Sequence, residues 1–225
     1  MPTQIYWASG SPHSWRVLLA AEILGLPYES TLIEFSKGQH RTPEYLALNP
    51  RGKVPVLRDD DVVLYESLPI IEYLDATHGG TLYGRTPLEA AATRRAVFEF
   101  ECYLRDPLGT VTRHLLAAGG APPSPRTPSP EQVATALEPA RNELATLSNL
   151  VGERSWLAGA RISAADIAIF PFVRLLLRAG SKAEPRAREL GLFPFADRLP
   201  GLARWVARIE ALPAYDRTYP PHWRT

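Results

Sequence analysis

A single cysteine, Cys102, leaves this 225-residue chain unable to build an internal disulfide framework or a cysteine-rich metal site, and fits a reducing compartment. An excess of one charge is missing too. The 25 Lys and Arg nearly balance the 24 Asp and Glu, the net charge is +1, and no basic cluster stands out. Nucleic acid and anionic lipid therefore find no long-range attraction here. No apolar run approaches the roughly 18 to 20 residues that span a bilayer. The first residues, Met1-Pro2-Thr3-Gln4, carry neither a basic segment nor an apolar signal core. These absences predict a cytoplasmic protein with no nucleic-acid and no membrane partner. A hydrophobic content of 45% over this length suffices for one large domain or two small ones.

Two textures divide the chain. Thr3 to Ala8 reads as a strand, followed by a turn and a helix from Pro12 to about Gly25; Pro12 suits the first helical position and Gly25 the C-terminal cap. Val17, Leu18, Ala21 and Leu24 recur at helical spacing, which predicts one face packed on a sheet. Tyr28 to Phe35 is a second strand and Thr42 to Leu48 a short helix. Val54 to Arg58 and Val62 to Tyr65 read as two strands around Asp59-Asp60-Asp61, with a helix from Glu66 to His78. After Gly79-Gly80 the pattern is almost purely helical, with helices predicted at 87–118, 131–152, 164–179 and 201–212. Between the first two of these, residues 119–130 are too rich in proline and glycine for regular structure and read as a polyproline-like hairpin tip.

Three short pieces carry the chemistry. Ser11, at the start of a helix after a strand, sits where backbone N–H groups point outward and the helix dipole is positive, so a nearby anion is stabilised; alone it also reads as a simple N-cap. In Val54-Pro55 a proline interrupts a strand-like run, which belongs at an edge, a bulge or a cis turn. Glu66-Ser67 sets an acid and a hydroxyl at a helix start, which alone is ordinary capping.

The order and spacing of Ser11-Pro12-His13-Ser14, Asn49 to Leu57 and Tyr65 to Leu68 resemble the thioredoxin-like domain of glutathione transferases, and the resemblance covers essentially the whole chain. It implies an α/β thioredoxin-like domain over 1–80, which binds glutathione as co-substrate. It also implies an all-α helical bundle domain over 87–225 that contributes the electrophile pocket. The thioredoxin turn carries C-x-x-C, and here both sulfurs are replaced by hydroxyls, so disulfide exchange by the chain itself is lost.

The resemblance assigns Ser11 the stabilisation of the glutathione thiolate. Val54 becomes the backbone binder of the cysteinyl part, held by a cis Pro55, while Glu66 and Ser67 bind the γ-glutamyl end. His40 and Lys53 receive the glycine carboxylate. In the second domain, Trp156 to Ala168 is similar to the family's capping box on a central buried helix; Ser163 and Asp166 have the spacing for reciprocal capping and belong to folding.

Within the family the chain is similar to the serine-type theta, phi and zeta groups. The zeta turn, that of the maleylacetoacetate isomerases, reads Ser-Ser-Cys where this chain has Ser11-Pro12-His13. Conjugation of small, mostly apolar electrophiles is the expected activity, in detoxification and as a homodimer. A glutathione-dependent isomerase, a peroxidase and a non-catalytic interaction module stay open. Tyr6 is a second thiol-donor candidate, although strand alternation favours an inward core role for it. Cys102 reads as a small packed side chain. The pocket walls are expected around Phe98 to Arg113 and at Trp205, Tyr215 and Trp223, each of which also fits core packing or tail anchoring.

Overall fold

The computed structural model describes residues 2–122 and 124–224 and divides into two compact units, Met1–Arg85 with Glu210–Thr225, and Thr86–Ile209. In the first unit β1 (Gln4–Trp7) pairs in parallel with β2 (Glu29–Leu32) and antiparallel with β3 (Val56–Asp59), which pairs antiparallel with β4 (Val62–Tyr65). The resulting order β2-β1-β3-β4 is the thioredoxin-like sheet that the resemblance implies. Helix α1 (Pro12–Leu24) connects β1 to β2, and α2 (Pro43–Leu48) precedes β3. Helix α3 (Ser67–Thr77) follows β4 and packs against α1.

Helix α1 begins where the sequence predicts: Ser11 is its N-cap, Pro12 its first residue, and Gly25 ends it in the left-handed conformation. Every residue from Ser14 to Ala21 is buried, not one stripe alone, because α1 lies between α3 on one side and α11 (Pro213–Thr218) on the other. That packing corrects the expected domain boundary. Glu210–Thr225 groups with the sheet, not with the helical unit. Trp15 Nε1 donates to Thr218 Oγ1 at 2.9 Å, and the Trp15 ring meets those of Tyr215, Tyr219 and Trp223 with centroids 5.5 to 6.0 Å apart.

The second unit is helical. The run expected as one helix over 87–118 is α4 (Pro87–Glu99) and α5 (Arg105–Ala118), joined by a π-turn at Phe100–Leu104. The cause is Pro107. In a continuous α-helix its nitrogen would face the Tyr103 carbonyl, but it has no hydrogen to give and its ring crowds that oxygen, so the turn before it widens. Helix α6 (Pro130–Glu153) and α7 (Ala164–Lys182) pack on α5. The short α8 (Glu184–Glu189) and α9 (Phe195–Arg198) precede α10 (Pro200–Glu210). Among the described residues no helix is long and apolar enough to cross a membrane.

Candidate functional site

Sheet register gathers the three pieces at one end of the first unit. Tyr6 of β1 is paired with Val56 of β3, and Val56 with Tyr65 of β4. Because β3 runs against both neighbours, the chain beyond the end of β1, before the start of β3 and beyond the end of β4 emerges on the same side. Those three exits are Ser11, Val54-Pro55 and Glu66-Ser67.

The Val54-Pro55 peptide bond is cis. Among the described residues neither the N–H nor the C=O of Val54 has a hydrogen-bond partner, so both remain available to an extended ligand. The residue before it is tied down: the Lys53 carbonyl accepts from Tyr45 Oη and from Asn49 Nδ2, each at 2.8 Å. Burial pushes the Tyr45 phenol pKa well up, which keeps it a donor.

At the start of α3, Glu66 adopts φ 71°, a left-handed value uncommon for a non-glycine residue, and makes no capping bond. Its exposed carboxylate has no cation beside it among the described residues. The N–H groups of Ser67 and Leu68 are likewise without acceptors, while Pro69 supplies no N–H at all. Ser67 is buried, and its Oγ accepts from Arg16 Nη1 at 3.2 Å. Arginine can only donate, so the Ser67 proton is left for another acceptor. His13 Nδ1 lies 3.5 Å from the same oxygen.

At the reactive turn, half-buried Ser11 Oγ accepts from Ser14 N at 3.3 Å, which again leaves the hydroxyl proton for donation. Ser14 and Tyr6 are less available as donors to a ligand. Ser14 is fully buried and accepts from Ala8 N at 3.3 Å. Tyr6 donates to Gln4 Oε1 at 3.1 Å and packs edge-on against Tyr45, so it belongs to the small core of Ile33, Tyr45 and Val56.

His40 and Lys53 are neighbours through Gly52, where an added Cβ would lie 2.8 Å from the His40 carbonyl oxygen. The His40 ring lies on Phe35, its Nε2 accepts from Arg41 Nε, and its buried Nδ1 has no partner among the described residues. Lys53 is exposed.

Arg16 and His13 are the site residues that sequence reasoning passed over. The signal for Arg16 was present: a charge inside Trp15-Arg16-Val17-Leu18-Leu19 must be buried and therefore bonded. It is 1% exposed. Of the expected pocket walls, Trp205 is fully buried and donates from Nε1 to Asp166 at 2.8 Å, so it is core. Tyr215 and Trp223 pack on Trp15, and Phe98 is exposed. Cys102 is not packed: it is exposed and borders an open cavity of about 950 Å³ with Tyr103, Arg113, Arg126 and Glu131. The π-turn and the proline-rich segment shape that cavity. Ser163 and Asp166 form the expected cap. The Asp166 carboxylate accepts from Leu157 N, Ser163 N, Ser163 Oγ and Trp205 Nε1; burial pushes its pKa up while these donors pull the other way.

Comparison with known proteins agrees with this geometry. The glutathione S-transferase N-terminal domain family matches residues 10–77 and the C-terminal domain family residues 130–208. Glutathione S-transferase A of Pleuronectes platessa is 29% identical, over 97% of this chain and 92% of its own. Glutathione S-transferase GstB of Escherichia coli (strain K12) is 30% identical, over 93% and 94%. The crystal structure of the theta class glutathione S-transferase from Xanthomonas axonopodis pv. citri, with glutathione bound, is 28% identical, covers 97% of both chains and has a TM-score of 0.79. With both of its domains matched, the chain belongs to the glutathione S-transferase family.

Proposed function

We propose that this chain is a glutathione transferase that joins the glutathione sulfur to small, mostly apolar electrophiles. The observation that carries the reading is the convergence of open groups at one end of the sheet. Among the described residues Val54 offers an unpaired N–H and C=O, Glu66 an unpaired carboxylate, Ser67 and Leu68 two unpaired N–H groups, and Ser11 a hydroxyl proton. A zwitterionic γ-glutamyl group needs an acceptor for its ammonium and donors for its carboxylate, and the start of α3 carries both. Val54 pairs strand-like with the cysteinyl part beside Pro55, and His40 and Lys53 take the glycine carboxylate. The helical unit supplies the electrophile's binding walls. The protein works as a cytoplasmic homodimer in detoxification, the usual setting of its family.

Ser11 donates a hydrogen bond to the thiolate, next to the positive end of α1. Lowering a thiol pKa from about 8.5 to about 6.5 is worth roughly 2.7 kcal/mol and raises the thiolate fraction at pH 7 about 24-fold. Nucleophilicity falls with basicity, and a Brønsted slope near 0.45 returns about 8-fold of that. The net gain is roughly threefold. Most of the acceleration must therefore come from holding the electrophile against the sulfur.

The test is titration calorimetry with glutathione, followed by a pH titration of the bound thiolate's ultraviolet absorbance in wild type and Ser11→Ala. Binding with a lowered thiol pKa that reverts in the variant is expected, together with conjugation of a panel of electrophiles. Absence of glutathione binding in folded protein would sink the reading in favour of an interaction module. Binding with maleylacetoacetate turnover or hydroperoxide reduction in place of conjugation would redirect it to an isomerase or a peroxidase.

A further inference from the structure

The turn that presents Ser11 is held from outside by the far end of the chain. Ser11 N donates to the Ala8 carbonyl at 3.2 Å and closes a four-residue turn with Ser9 and Gly10 in the middle. Gly10 has φ 78°, the value of the third residue in a type II turn, where glycine is favoured. Both central residues meet His222. Its Nδ1 and the Ser9 Oγ share a 2.5 Å hydrogen bond. Its Cε1 lies 2.8 Å from where a Gly10 Cβ would be, with Trp223 Nε1 at 3.3 Å from the same point. The imidazole thus occupies the space that a side chain at Gly10 would need.

His222 is delivered there by a tail anchored along α1. Arg217 Nε donates to Glu22 Oε2 at 2.5 Å, Thr218 accepts from the Trp15 indole, and Trp223 packs edge-on against Trp15 at 5.5 Å. Each anchor fixes the tail's register on the helix that Ser11 caps. Of these anchors only Trp223 approaches the turn, at Gly10, whereas His222 meets both of its central residues and alone bonds one of them. A turn whose middle positions are a small hydroxyl residue and a glycine has little rigidity of its own.

We propose that His222 is a positioning residue for the reaction: by bonding Ser9 and filling the space over Gly10 it fixes the turn, and so aims the Ser11 hydroxyl at the thiolate. The inference rests on the transferase reading, and goes beyond it in assigning a role in the chemistry to the C-terminal segment. The groups that anchor glutathione at Val54, Glu66 and Ser67 lie on other elements. Loss of His222 therefore weakens thiolate stabilisation and turnover more than binding.

The experiment compares wild type with His222→Ala, His222→Asn and His222→Phe. Asparagine places an amide atom where Nδ1 stands; phenylalanine fills the volume without the bond. Expected for His222→Ala is kcat up to about threefold lower at pH 7 and a raised pKa of the bound glutathione thiol, with KM for glutathione within about twofold of wild type. Asparagine restores most of both quantities and phenylalanine little. Wild-type kcat and thiol pKa in His222→Ala, with only the melting temperature lowered, would overturn the proposal, as would full restoration by phenylalanine. If His222→Ala does not fold, Ser9→Ala cuts the same bond from the turn's side with the tail packing intact; an unchanged thiol pKa there overturns it equally. A wild type with no thiolate band overturns the transferase reading and this inference together, whereas failure confined to the variants overturns the role of His222 alone.

Discussion

Two helix starts in this protein are built from the same parts and used in opposite ways. At α7, Ser163 and Asp166 turn inward: the carboxylate collects four donors, among them the Trp205 indole, in a site closed to solvent. At α3, Glu66 turns its carboxylate outward, and Ser67, although buried against Arg16, keeps its hydroxyl proton unspent. Among the described residues the acid has no cation and the first two N–H groups have no acceptor, and the backbone at Glu66 sits in a costly conformation. One start spends its hydrogen-bonding capacity on folding and the other keeps it for a ligand. Acid and hydroxyl at a helix N-terminus are a common sequence feature; internal saturation separates the structural case from the functional one.

The contrast can be broken most severely at Asp166. Asp166→Ala strands buried donors at Leu157, Ser163 and Trp205, and a loss of about 3 kcal/mol or more is expected in urea denaturation. Glutathione affinity of the remaining folded protein should be unchanged. At α3 the signs reverse. Glu66→Gln removes a bond to a charged group of the ligand, worth roughly 2 kcal/mol or about thirtyfold in Kd by calorimetry, with the melting temperature nearly constant; Ser67→Ala weakens binding similarly but also takes the acceptor from buried Arg16 and lowers the melting temperature. Glu66→Gly sharpens the point. Relief of the left-handed strain should leave stability unchanged or higher by up to about 1 kcal/mol while glutathione binding weakens. A marked loss of stability in that variant would mean that Glu66 is structural after all.

The smallest expected effect concerns an acid bonded within the sheet unit. Asp59 accepts from Thr3 Oγ1 at 2.7 Å and Tyr73 Oη at 2.8 Å, and these bonds hold its pKa below the usual carboxylate value. A carboxyl with a lowered folded-state pKa contributes stability that is present above its unfolded pKa and lost as pH falls through the folded one. The melting-temperature gap between wild type and Asp59→Asn should accordingly be visible at neutral pH and close in acid. A gap independent of pH would show that the carboxylate's charge is irrelevant.

Much of this was legible in the chain. The alternation of texture at Gly79-Gly80, the N-cap at Ser11, the cap at Gly25 and the interrupted strand at Val54-Pro55 are local signals, and each element they predict is present within a few residues. What escaped was non-local or was read too smoothly. Pro107 is a breaker in plain view, yet the apolar periodicity on both sides runs through it, because a π-turn keeps both helices on the same core. Cys102 lies beside that turn, which is why a residue expected to pack is exposed. The partnership of residues 210–225 with α1 spans nearly the whole chain and leaves no periodic trace. The same holds for Arg16 and Ser67, which only the packing of α1 on α3 brings within reach.

Pro69 sets which groups α3 can offer to an anion. A helix start ordinarily offers three N–H groups, enough to surround a tetrahedral oxyanion; here the third is deleted, and the hydroxyl of Ser67 joins two amides. Three donors clustered at one edge match the two oxygens of a planar carboxylate. A phosphate or sulfate in the same place would bring a larger negative charge beside the Glu66 carboxylate, which repels it. One ring closed on a backbone nitrogen thus moves part of the grip on an anion from the backbone to the side chain of Ser67, where a single substitution can remove it.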